Sequence, residues 1–242
     1  MRRGAVLAAL LLAAGPGAAR ACAPDLPAAV PQGGLVVGRV APGCTVEVGG
    51  RALRLAADGG FVFGVGRDAP SPLTLTLRDA GGRVRTHALA VTPRQWRIER
   101  VDGVPQSTVT PAPAIAARIA REQARVAQAR ERDDAREDYR FGFAWPARGR
   151  ISGVYGSQRV LNGEPKNPHM GLDIAAPTGT QIAAPLPGVV TLVHPDMLLT
   201  GKTVVIDHGH GVSSVYIHMS RIDVSEGQRL AHPSSAANYA SH

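Results

Sequence analysis

The sequence predicts a mainly β protein with one long helix near its middle. Short apolar runs recur about ten residues apart, and Gly- or Pro-containing pairs punctuate them. Gly 28 and Pro 19 favour turns and short strands over long helices. One stretch breaks that pattern: Ile115 to about Tyr139 is rich in Ala, Arg, Glu and Gln and holds neither Gly nor Pro.

Taken in order, the chain begins with a signal-peptide pattern. Arg2 and Arg3 are a charged start, Ala5 to Ala14 an apolar run too short to span a bilayer, and Ala19-Arg20-Ala21 a cleavage signature. Residues 1–21 are therefore predicted to be removed and the chain exported, to the periplasm or cell wall, with no transmembrane helix in the mature protein. Cleavage after Ala21 would make Cys22 the first mature residue. Export permits a disulfide between Cys22 and Cys44, the two cysteines present. Lipidation at Cys22 is the rival, and Arg20 two positions before it fits the usual acceptor pattern poorly.

The formal net charge is +8, and the signal segment carries three of the positive charges and no acid. An exported basic protein meets anionic surfaces, such as wall polymers and lipid headgroups. Nucleic acid is excluded as a partner outside the cytoplasm.

Residues 22–92 are expected to form an accessory, sandwich-like β domain. Leu35–Val37, Thr45–Val48, Phe61–Val65 and Leu73–Leu77 are strand-like, and the last alternates with period two. His87, alone in a strand-like run, reads as structural. Residues 93–140 are a connector and the long helix, about 37 Å if it runs to Tyr139. Ile115, Ile119 and Val126 make a thin apolar stripe, suited to a connecting helix resting on a domain, or to a partner-binding or spacer arm.

Residues 141–242 read as a second β domain. Thr203–Asp207 and Val212–His218 should pair as a hairpin across Asp207-His208-Gly209-His210-Gly211. His208 and His210 are expected to be solvated there, and His194 to lie in a loop. Alternation along the second strand puts Ser214, Tyr216 and His218 on one side. Seven of the eight histidines lie at or beyond His169. His169 and Asp173, four apart in a Gly- and Pro-rich stretch, could hold one zinc from two directions; an open catalytic zinc needs three protein ligands.

The chain from about Phe141 to Leu230 resembles the lysostaphin-type (LytM-like) zinc metallo-endopeptidases that cut peptidoglycan. Six pieces carry the resemblance in order. They are Gly149 to Gly156, Pro168-His169-Met170-Gly171-Leu172-Asp173-Ile174-Ala175, and Pro177-Thr178-Gly179-Thr180. Ala183-Ala184-Pro185 with Gly188-Val189-Val190, Ile206-Asp207-His208-Gly209, and Tyr216-Ile217-His218-Met219-Ser220 complete them. The resemblance implies an antiparallel β core with the site in a groove. It makes His169 and Asp173 zinc ligands, His218 a catalytic histidine, and wall peptides the substrate. The family's later His-x-His, whose second histidine is the third zinc ligand, has no counterpart after Leu230. His208-Gly209-His210 has the spacing but not the place. The expectation is a truncated domain with an incomplete zinc site, an exposed sheet edge and weakly bound or absent zinc. The alternative is a non-catalytic scaffold that binds the wall or regulates a wall hydrolase. A generic metal-binding β-barrel is a third reading, disfavoured by the pieces around Tyr155 and Tyr216.

Overall fold

Alternation along Leu73–Arg78 turns Leu75 and Leu77 inward, where both are fully buried. The computed structural model describes residues 22–231 and 239–241; the signal-peptide segment, His232 and His242 lie outside them. The first half holds β1 (Ala29–Pro31), β2 (Leu35–Arg39), β3 (Thr45–Val48), β4 (Arg51–Ala52), β5 (Gly60–Gly64), β6 (Leu73–Arg78) and β7 (Val84–Thr92). One sheet runs β1-β7-β6-β3-β4, and β2 pairs with β5 as a second. Val36, Val46, Phe61, Leu75, Leu77 and Leu89 share one core between them. Cys22 and Cys44 are disulfide-bonded, with Cα atoms 6.1 Å apart, and both are buried in that core.

The connector is not merely a link. Its strand β8 (Ile98–Val101) pairs in parallel with β10 (Gln158–Leu161) far along the chain. A short helix α1 (Gln106–Val109) precedes α2 (Pro113–Arg130). Pro113 occupies the first turn of α2, where its missing N–H costs nothing. The helix stops well before Tyr139: its 18 residues span about 27 Å, not 37 Å. The acids Glu131, Asp133 and Asp134 would oppose the negative end of the helix dipole. Asp134 turns the chain instead: its carboxylate accepts from Arg136 N–H (3.1 Å) and its carbonyl from His210 N–H (2.8 Å). None of the helix is fully buried. Val126 and Ala129 rest on Leu192, Met197 and Val205, as a connecting helix lying on a sheet.

Beyond a 3-10 turn at Asp138–Phe141, the remaining strands are β9 (Arg150–Gly153), β10, β11 (Glu164–Pro165), β12 (Asp173–Ala175), β13 (Gln181–Ile182), β14 (Gly188–Met197), β15 (Gly201–Asp207), β16 (Ser213–Arg221), β17 (Arg229–Leu230) and β18 (Tyr239–Ser241). Six form an antiparallel sheet, β13-β18-β16-β15-β14-β17. Val190, Val204, Ile206, Met219 and Leu230 are central to its core. The expected hairpin is β15–β16, with Asp207 opposite Ser213. The exposed sheet edge expected from missing last strands does not fall at β16. β18 pairs with both β16 and β13, and a three-residue strand held by backbone bonds is too short to show periodicity.

Candidate metal-binding groove

His169 is fixed by its backbone before its side chain does anything. Its carbonyl accepts from Gly156 N–H and its own N–H donates to Ser157 O, both at 2.7 Å. Its Nδ1 lies 3.2 Å from the carbonyl of Val154. A carbonyl only accepts, so Nδ1 carries a hydrogen, and Nε2 is the ring nitrogen turned toward Asp173, where a metal-ligating histidine would offer its lone pair. Nε2 lies 3.2 Å from Asp173 Oδ1. Two ligands of one tetrahedral zinc, each about 2.0–2.1 Å from it, stand about 3.3 Å apart. The pair therefore has the spacing of two ligands on one metal.

Asp173 opens β12, opposite Gly153 of β9, with a register shift just after it. A Cβ on Gly153 would overlap the Asp173 carboxylate, so the carboxylate keeps this position only with glycine there. The Val154–Ser157 turn is braced from the first half of the chain. Trp96 meets Tyr155 edge-on at 5.8 Å, and Arg67 and Arg94 lie over the Trp96 ring at 5.2 and 4.6 Å. Arg67 Nε donates to Gly156 O at 2.9 Å.

His169 and Asp173 line an open groove of about 930 Å³. Its other walls come from Ile151–Val154, from Leu199 and Thr200 between β14 and β15, from Gln123 of α2, and from Arg97 and Glu99 of the connector. Among the described residues, no cluster of three or more His, Cys, Asp or Glu side chains is gathered for a metal.

His218 stands beside this groove rather than in its lining. It sits at a bulge in β16 with φ 58°, and its N–H donates to Thr200 O at 2.8 Å. The bulge breaks the expected alternation. Tyr216 and Met219, three apart, both pack toward the core, so His218 does not share Tyr216's side by simple parity.

His208 and His210 are buried, not solvated. His208 ties the hairpin to the chain before β14: Nδ1 lies 2.6 Å from Pro187 O and Nε2 2.8 Å from Ser214 Oγ. Burial pushes both imidazoles below their ordinary range. The neighbouring Asp207 carboxyl is pushed up by burial, opposed by the Arg136 guanidinium that binds it. Arg136 also binds Asp138 (2.6 Å), which accepts two further bonds from Arg229 at 2.7 Å. This network joins the end of the connector to β15 and β17. Sequence reading missed it, because no local pattern links Arg136, Asp138 and Arg229. It equally missed Arg97, Glu99 and Gln123 as groove residues; the β8–β10 pairing that brings the first two there is long-range.

The class of this half of the chain, an antiparallel β core with a His–Asp pair at the wall of an open groove, is given by its sequence. Residues 167–237 match the model of Peptidase family M23, and that segment is an M23 (LytM-type) peptidase domain. A Pseudomonas aeruginosa protein named Lipoprotein NlpD/LppB homolog is 34% identical over 89 residues, 37% of this chain and 28% of its own length. The Peptidoglycan DD-endopeptidase ShyA of Vibrio cholerae is 39% identical over 66 residues, 26% of this chain and 15% of its own. The chain thus spans less than a third of either relative. A crystal structure from Pseudomonas aeruginosa described as an M23 peptidase matches with a TM-score of 0.62 at 25% identity, covering 86% of this chain and 81% of that one. Its likeness therefore extends well beyond the segment that the family model matches.

Proposed function

We propose that this chain is an exported peptidoglycan-directed metallo-endopeptidase of the M23 type, acting in the periplasm or at the cell wall, with an incomplete zinc site. The observation that carries the reading is the 3.2 Å approach of His169 Nε2 and Asp173 Oδ1 at the wall of an open groove. These two side chains would hold the metal. When bound, zinc supplies a Lewis acid for the scissile carbonyl and lowers the pKa of water. Val154 O keeps the His169 ring oriented and its proton on Nδ1. His218 is the residue assigned to moving a proton beside the groove. The residues fit a zinc site in part: a nitrogen and an oxygen donor suit the ion, and a third protein ligand is needed for catalysis.

The second reading is a non-catalytic scaffold that binds the wall or regulates a wall hydrolase. It is favoured by the lack of a third gathered ligand among the described residues. Pelleting of the full chain with purified sacculi, with and without chelator and beside His169→Ala, separates the two. Retention that needs metal and His169, with product release near background, supports the first reading. Retention indifferent to both supports the scaffold, and no retention at all overturns both.

A further inference from the structure

The groove carries a cation that metal binding does not use. Five charged side chains line it: Arg97, Glu99, Arg159, Lys166 and Asp173. Arg159 is paired with Glu99 at 3.1 Å. Lys166 Nζ is bound to Glu164 at 3.2 Å and to Val109 O at 2.7 Å. Asp173 faces His169. Arg97 remains, exposed, and no carboxylate or carbonyl among the described residues accepts from its guanidinium.

Its position follows from the backbone. His169 N–H bonds Ser157 O, and the adjoining Gln158 N–H bonds Arg97 O at 2.9 Å. The backbones of His169 and Arg97 thus bond to opposite sides of the peptide joining Ser157 to Gln158, about two strand spacings, or about 10 Å, apart. An extended peptide covers that distance in about three residues.

Resting on the proposed function, we propose that Arg97 is a specificity-determining residue: it selects peptides bearing a free carboxylate within about three residues of the bond presented to His169 and Asp173. Guanidinium and carboxylate match as paired donors and acceptors, and lysine would not reproduce that fork. The residue lies outside the segment matched by the family, immediately before the connector strand β8 that its pairing with β10 brings to the groove.

The test is binding rather than turnover. A short wall-type peptide with one free terminal carboxylate, and its C-terminal amide, are titrated into the full chain at low ionic strength. The acid form is expected to bind about tenfold tighter, the value of one charge-assisted contact. Arg97→Gln should reduce the acid form to the level of the amide and leave the amide unchanged; Arg97→Lys should restore part of the preference. An unchanged melting temperature checks that the variants fold. Equal binding of acid and amide by the parent chain overturns this proposal alone, as does a preference that survives Arg97→Gln. Binding of neither form overturns the functional reading beneath it as well.

Discussion

Replacing Gly156 with alanine perturbs the turn that holds His169 from two directions. Gly156 has φ 84°, where an L side chain costs about 1–2 kcal/mol. The new Cβ would also overlap the Trp96 ring. That ring cannot move aside cheaply, since Arg67, Arg94 and Tyr155 surround it. Overpacking of this kind costs about 1–3 kcal/mol, for a total of about 2–5 kcal/mol. A protein of this size loses about 2–4 °C per kcal/mol, so a fall in Tm of about 4–20 °C is expected by circular dichroism. Trp96→Ala in the same chain removes the overlap but not the strain at φ. The double-mutant cycle should therefore return a coupling of about 1–3 kcal/mol. Because Gly156 N–H bonds His169 O, zinc affinity should fall in Gly156→Ala too. A variant melting within about 1 °C of the parent, or a cycle with no coupling, would refute the claim that the first half of the chain braces this turn.

Other outcomes follow from the same contacts. Asp138→Ala leaves Arg136 and Arg229 without their shared acceptor; because both arginines reach solvent, the loss should sit near the low end for a broken buried pair, about 3 kcal/mol by urea unfolding. Burial holds His208 and His210 below 6.5, so the unfolded chain takes up protons first as pH falls. Stability should then decline below about pH 6.5 toward the folded values, by at most about 1.4 kcal/mol per pH unit for each histidine. Asp207, raised from 3.8, contributes with the opposite sign above that value; a urea midpoint equal at pH 7.5 and 5.5 would contradict the histidine burial. Cys44→Ser opens a loop closed across 22 residues and should cost about 3 kcal/mol in the chain-entropy account, read by thermal unfolding under non-reducing conditions.

What the sequence made legible was local. Leu73–Leu77 showed its period, the Asp207–Gly211 turn marked its hairpin, and His169 and Asp173 announced themselves by spacing. What it hid depends on distant partners. α2 ends at Arg130 without a helix-breaking residue, and Asp134 just beyond it bonds His210 N–H across the fold. His208 and His210 are buried because Pro187, Ser214 and Tyr139 close over the turn, whereas turn histidines read alone look solvated. The bulge at His218 needs the Thr200 carbonyl and a register shift that no alternation rule contains. β18 is a strand because β13 and β16 offer it backbone partners on both sides.

The most direct test of the account is a zinc titration of the purified full chain against a competing chelator, with wall-peptide hydrolysis followed in the same samples. The account predicts weak, dialysable zinc that His169→Ala or Asp173→Ala abolishes, with turnover near background. One tightly held zinc per chain with robust hydrolysis would contradict the incomplete site, and zinc binding unchanged by both substitutions would contradict the site itself.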